Sequence, residues 1–438
     1  MKKLAKKANE QTRRRFVTAA ASSLLGVGLL PSGLLPGGQV FGKDKDKEKK
    51  PPLPMRKTPA KRVIYLYMSG GMTHLDTLDT KPGHENQGPV RELKTNVAGV
   101  RLSEYLPQLT NHADKMAIIN SMTSTAGAHE QARYLMHTSY ELRATIQHPG
   151  IGAYMLKYLD KLNEDLPGSV FIGGNSRIDG GAGFFESSYE PLAINNPEDG
   201  LKNIRARFKP DQFRQNLDLS AELDAEFRKV YNVKSTRAYT SMYEDAVRLM
   251  KSEDLKAFDL GQEDKVAREA YGDNPFGQGC LLARRLIEHD VRAVEVSYGG
   301  WDTHQSNFVA VPERAGVLDQ ALAALLSDLE RTGLLDSTLV VLATEFGRTP
   351  RINQNAGRDH YPKAFSCMLA GGGVTGGIKY GKTTPGGEEV AEKALEPQDF
   401  NATIAYGLGV AVDRVVMSPS LRPFKVAHKG LPVMDLFG

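Results

Sequence analysis

Thr338-Leu-Val-Val-Leu-Ala343, running straight into Thr344-Glu-Phe-Gly-Arg348, is the stretch from which the fold can be read. A short, unbroken apolar run fits a strand buried on both faces, and such strands belong to parallel sheets covered by helices. Val63-Ile-Tyr-Leu-Tyr-Met68 repeats the pattern and stops at Ser69-Gly-Gly. Working outward, Met116–Asn120, Ser169–Gly173, Val291–Val296 and Ala364–Leu369 add further strands. Helical spacing separates them over Leu102–His112, His129–Leu142, Cys280–His289 and Pro312–Arg331, the last with Leu318, Leu322, Leu325 and Leu329 on one face. This alternation predicts an α/β protein with a doubly wound, mainly parallel sheet. Residues 175–275 lose the strand signal and read as a mostly helical insertion.

The formal charge of the 438-residue chain is +4, but it is unevenly placed. Residues 1–42 carry seven Lys or Arg and one acid, Glu10, a net +6; the rest is therefore near −2, which argues against a nucleic-acid-binding role. Thr12-Arg13-Arg14-Arg15-Phe16-Val17 precedes an apolar stretch to Leu35 broken by Gly26, Gly28 and Pro31. Basic residues before a modest apolar run read as an export signal, and this one resembles the twin-arginine (Tat) type. Small residues at Val40-Phe41-Gly42 allow cleavage there. The expected partner is the Tat translocon, the expected location periplasmic or extracellular, with no stable membrane insertion after cleavage. Lys43–Arg62 mixes charges with Pro51, Pro52, Pro54 and Pro59 and is expected to be a disordered linker. Residues 63–438 then form one large domain with its insertion. The two cysteines, Cys280 and Cys367, cannot form a disulfide framework and read as small core residues.

Histidines and carboxylates gather just after the predicted strands: Ser69-Gly-Gly-Met-Thr-His-Leu-Asp-Thr-Leu-Asp79, Thr125-Ala-Gly-Ala-His129, Gly299-Gly-Trp-Asp-Thr-His304, Glu345, and Gly357-Arg-Asp-His360. Ligands of open α/β sheets bind at the carboxyl ends of strands, so these segments can share one site. Imidazole with carboxylate suits Zn, Mn or Fe better than Ca or Mg. Asp302 and His304, two apart in an extended loop, can point the same way. Each cluster also has a plainer reading. Asp302 and His304 can shape a turn, and His137 can be a packing residue. Glu345 can cap or pair with Arg348, while Arg348 can instead clamp an anion. One of Asp76 and Asp79 can bind metal while the other caps a turn, and Asp359 can orient a neighbour while His360 ligates. Their shared position at strand ends favours a metal centre.

Taken together, the twin-arginine segment, Ser-Gly-Gly-x-x-His-Leu-Asp-x-x-Asp, Gly-Trp-Asp-Thr-His, Thr-Glu-Phe-Gly-Arg-Thr-Pro and Gly-Arg-Asp-His resemble domain-of-unknown-function family 1501. That family is similar to the alkaline phosphatase and sulfatase superfamily, and the resemblance runs from Lys61 to the C-terminus. It implies a three-layer α/β/α sandwich with one or two divalent ions, Zn or Mn, and hydrolysis of phosphate or sulfate esters, small or polysaccharide. By position it implies Asp76, Asp302, His304, Glu345 and His360 as metal ligands, and His129, at the start of a helix after a strand, is a further candidate ligand from the sequence itself. The nucleophile falls among Thr123, Ser124 and Thr125, with Arg348 or Arg133 steadying the anion. Glu345-Phe346 stands where the superfamily usually has Asp-His, and no Cys-x-Pro-x-Arg occurs, which excludes a formylglycine sulfatase mechanism. The alternative is an exported metal- or glycan-binding protein that kept the fold without catalysis.

Overall fold

The structure, a computed structural model, describes residues 53–173, 180–202, 204, 209–231 and 234–438. The signal expected at 1–42 and the first part of the linker lie outside these residues. From Leu53 onward the chain already lies against the domain, contrary to the expectation of a solvated linker to Arg62. The Leu53 N–H donates to Asp413 Oδ2 at 3.3 Å. The Arg56 guanidinium stands 4.7 Å from the centre of the Phe437 ring and donates to Gly373 O at 3.1 Å.

Eight strands make the central sheet: β1 (Arg62–Met68), β2 (Met116–Met122), β3 (Ser169–Ile172), β4 (Leu192–Ile194), β5 (Ala293–Tyr298), β6 (Thr338–Ala343), β7 (Phe365–Gly371) and β8 (Ile378–Tyr380). Their order is β8-β2-β7-β6-β1-β5-β3-β4. All neighbours are parallel except those of β7, which runs against both β2 and β6. The sheet is therefore doubly wound and mainly parallel.

Because side chains alternate across a strand, each strand feeds two cores. In β1, Ile64, Leu66 and Met68 enter one, and Val63, Tyr65 and Tyr67 the other. The first core is covered by α6 (Pro275–Glu288) and α7 (Asn307–Arg331). The second lies under α1 (His129–Thr138), α2 (Ile151–Leu159) and α8 (Pro397–Gly407). This is a three-layer α/β/α sandwich. Between β4 and α6 the chain carries α3 (Pro210–Val230), α4 (Lys234–Lys251) and the short α5 (Lys265–Tyr271).

The sequence reading differs from the structure in two places that matter. The helix expected over 102–112 is instead a strand, Arg101–Ser103, paired with Glu92–Lys94, followed by a 3-10 segment at Leu109–Lys115. Pro107 disfavours helical backbone at the residue before it. Asp319 of α7 then accepts the N–H groups of Gln108 and Leu109, each at 2.8 Å, and so starts the tighter turn. Helix α7 begins five residues before the expected Pro312, which brings its first turn close behind His304.

Candidate metal centre

Four strands of the sheet deliver their ends to one place. Ser69–Gly71 leaves β1, Gly299–His304 leaves β5, Glu345 leaves β6, and His129 opens α1 after β2. His360 arrives by the opposite route. Since β7 is antiparallel, its beginning lies beside its neighbours' carboxyl ends, and the residues leading into it reach the same edge. A two-residue ladder pairs His360 with Arg348 and Tyr361 with Gly347. The β1 and β5 loops touch through their backbones: a Cβ on Gly70 (φ 117°) would lie 2.6 Å from Asp302 N, so only glycine fits.

Asp302 is the hub. Its Oδ1 lies 3.0 Å from His304 Nε2 and 3.2 Å from His360 Nε2, and its Oδ2 lies 3.3 Å from His129 Nε2. Candidate ligand atoms of His129, Asp302 and His360 all fall within 4.8 Å of one another. Behind each ring, Nδ1 meets an oxygen: Glu345 Oε1 at 3.0 Å for His129, Asp359 Oδ1 at 2.7 Å for His304, and Gly127 O at 2.9 Å for His360. A carbonyl or carboxylate oxygen accepts, so Nδ1 carries the proton and the Nε2 lone pair is turned toward Asp302. Three nitrogen lone pairs converging on an anion need a cation or protons between them. The donor set therefore fits a metal ion.

The local fields agree with this. Burial would raise the Asp302 carboxyl, but the Arg348 hydrogen bond and charge, with His129 and His304 adding, hold it at about 2. His129 is raised above the usual imidazole range, chiefly by its hydrogen bond to Glu345. His360 is lowered, first by burial and then by the charges of Arg348 and His129. The bond to Glu345 thus favours a proton on His129 more than on His360, and a metal ion would compete with that proton.

Several expected site residues have other roles. Asp76, expected as a metal carboxylate, is fully buried and taken up by Arg358 (Nε 2.8 Å, Nη2 3.0 Å), Thr73 (3.0 Å) and Asn307 (2.8 Å). Asp79 accepts from Lys81 at 2.9 Å, Asn120 at 3.1 Å and Thr383 at 2.5 Å. Glu345, expected as a ligand, stands behind His129 instead. Its Oε1 also accepts the Gly70 N–H at 2.7 Å, and its Oε2 accepts the Tyr67 hydroxyl at 2.9 Å. Arg348, expected to hold an anion, is completely buried and ties the site together. It donates from Nε to Gly71 O (3.0 Å), from Nη1 to Arg358 O (3.1 Å), and from Nη2 to Gly70 O and Asp302. Ser124 Oγ accepts the Ala126 N–H at 3.1 Å. Among the described residues, no hydrogen bond joins the hydroxyls of Thr123, Ser124 or Thr125 to this cluster. His137 packs against Tyr67 with ring centres 4.5 Å apart and meets Glu295 at 3.0 Å.

Two residues of the site went unread in the sequence. Arg358 stood inside the Gly-Arg-Asp-His motif, where only its neighbours drew notice. Tyr67 carried a signal that could have been used: a tyrosine in a strand buried on both faces must find a partner for its hydroxyl.

The fold and this cluster define a class of three-layer α/β/α proteins that assemble histidines and carboxylates at the carboxyl edge of the sheet. Within it, the chain belongs to the family described as "Protein of unknown function (DUF1501)", whose profile matches residues 60–437. Among solved structures, the chain is similar to the lipoteichoic acid synthase LtaP from Listeria monocytogenes (9% identity, 82% of this chain and 74% of that one, TM-score 0.40). It is also similar to a protein in the alkaline phosphatase superfamily from Vibrio parahaemolyticus (10%, 81% and 69%, TM-score 0.40). A third is the PsFucS1 sulfatase from Pseudoalteromonas sp. (12%, 86% and 72%, TM-score 0.40). No curated protein matches the chain.

Proposed function

We propose that this protein is an exported, metal-dependent hydrolase of phosphate or sulfate esters, acting on a small-molecule or polysaccharide substrate. The observation that carries the reading is the convergence of His129, His304 and His360, each fixed through Nδ1, on the Asp302 carboxylate. A bound Zn or Mn ion would supply Lewis acidity toward an ester oxygen and make a bound water more acidic. The chain's own residues do the rest. Asp302 stays ionised across the working pH range under the influence of Arg348. With Arg348 buried and bonded to Gly70, Gly71, Arg358 and Asp302, the substrate anion is assigned to the first turn of α1, where the N-cap residue Ala128 makes no side-chain cap bond, with Arg133 one turn beyond His129. With no hydroxyl of Thr123–Thr125 bonded to the cluster, water is the favoured nucleophile.

The test is turnover of aryl phosphates and aryl sulfates by protein loaded with zinc or manganese. Hydrolysis well above that of an Asp302→Asn control is expected. Stoichiometric metal without turnover of either ester would instead favour the non-catalytic binding protein.

For export, the support is Arg13-Arg14-Arg15-Phe16 ahead of a modest apolar run. Among the described residues, no helix is long and apolar enough to cross a membrane. Changing Arg13 and Arg14 together to Lys is expected to leave the protein in the cytoplasm on fractionation; undiminished export would reject the signal.

A further inference from the structure

We infer that the centre is a one-ion site of three imidazoles and one carboxylate, in which Glu345, braced by Tyr67, is a positioning residue that acts through His129 and not on the ion. The inference rests on the metal reading above and goes further by assigning the number of ions and the part played by each carboxylate.

A second ion needs oxygens of its own, and the nearby carboxylates are committed. Asp76 is held by the Arg358 fork, Thr73 and Asn307, all buried. Asp79 is held by Lys81, Asn120 and Thr383. Asp359 stands on the outer side of His304, at its Nδ1. Among the described residues, what remains for an ion is Asp302 with His129 and His360, whose ligand atoms lie within 4.8 Å of one another, and His304, whose Nε2 lies 3.0 Å from Asp302 Oδ1; four such donors suffice for one four-coordinate dication of the zinc type.

Glu345 is fixed from three rigid directions. It follows β6, whose last residue, Ala343, is in register with Tyr67 of the neighbouring β1. The Tyr67 hydroxyl meets Oε2 from within the sheet, the Gly70 N–H meets Oε1 from the β1 loop, and His129 Nδ1 meets the same Oε1 from the start of α1. A carboxylate behind a metal-binding imidazole fixes the ring's tautomer and orientation and raises its basicity. Tyr67 is itself buried, so the brace is part of the sheet's core.

Glu345→Gln separates this role from its rivals. Glutamine keeps the shape: its carbonyl can accept from Gly70 and His129, and its amide can donate to the Tyr67 oxygen. Only the charge behind His129 is lost. The measurements are metal content per chain, zinc affinity by titration against a chelator, and the melting temperature of the unloaded protein. We expect one zinc per chain in both wild type and Glu345→Gln, with zinc binding weakened roughly 10–100-fold in the variant and unloaded melting within a few degrees of wild type. Tyr67→Phe, which removes only the brace, should weaken zinc binding in the same direction by less, and it stands in should Glu345→Gln not fold. Two ions per wild-type chain would overturn the one-ion site. Unchanged zinc affinity in both variants would make Glu345 merely structural, and loss of stoichiometric zinc in Glu345→Gln would make it a ligand; either result overturns its positioning role. A wild type that takes up no zinc or manganese would overturn the metal reading itself, a result visible before any variant is compared.

Discussion

Asp302→Asn will abolish stoichiometric metal binding, and hydrolysis with it. The asparagine still offers Arg348 a carbonyl oxygen, so the buried guanidinium keeps an acceptor along with Gly70 O. What disappears is the one carboxylate, among the described residues, that all three Nε2 atoms approach. The fall in metal affinity should far exceed the roughly 10–100-fold typical of an outer residue. Unloaded melting should shift by only a few degrees, because Asp302 lies outside the apolar cores. Metal content of purified protein checks this; full occupancy in Asp302→Asn would remove Asp302 from the ligand set. Wild-type uptake should also weaken as pH falls, starting above the usual imidazole range. Glu345 raises His129, so its proton begins to compete earlier, whereas Asp302, held at about 2, stays ionised far below that point.

Arg358→Ala, by contrast, is expected to be a folding mutation. Arg358 and Asp76 are both completely buried and meet through Nε and Nη2. The same guanidinium donates to Asn86 O at 2.8 Å and Thr349 O at 3.1 Å. Removing one partner of a buried pair leaves a charge that water cannot reach, at a cost of about 3–5 kcal/mol. Against a total stability on the order of 5–15 kcal/mol, that is enough to drop the melting temperature steeply or prevent soluble expression. Asp76→Leu combined with Arg358→Met should recover much of the loss, because an apolar pair of similar volume avoids the desolvation. A double-mutant cycle by thermal melting measures this coupling. If Arg358→Ala melts within a few degrees of the parent, the pair is not structural and Asp76 returns as a candidate ligand.

The strands were legible because burial on both faces leaves a local mark. Thr338–Ala343 has the same bounds in the sequence reading and in the structure. The helix expected over 102–112 shows how that kind of evidence fails. Leu102, Leu106 and Leu109 have helical spacing, yet Leu102 packs from a strand and Leu109 from a 3-10 turn. Spacing records which residues are buried, not the backbone that buries them. Likewise Leu192-Ala-Ile194 is too short to announce itself, and only its pairing with β3 makes it a strand. His129, Asp302, His304 and His360 stand at strand ends in the sequence, and the structure brings these four together. Whether a carboxylate faces an ion or an arginine is another matter. Asp76 and Arg358 are 282 positions apart, and no local pattern links them. The reversed direction of β7, which brings His360 to the site, is equally silent in the sequence.

The small ladder joining Gly347–Arg348 to His360–Tyr361 has an architectural consequence. It clamps both ends of the excursion between them, so the position of His360 is set by strand pairing and not by the path of the chain in between. Arg358 and Thr349 at the roots of that excursion are anchored, but Arg351, Gln354, Asn355 and Ala356 at its tip are exposed. Its backbone is nonetheless tied to the cluster: Ser306 N–H donates to Asn355 O at 3.0 Å, Asn307 N–H to Ala356 O at 2.9 Å, and Asn353 Nδ2 to His304 O at 2.9 Å. A change in its length or backbone course therefore reaches His304 and, through Asn307, the buried Asp76, so the excursion acts as a strap across the cluster.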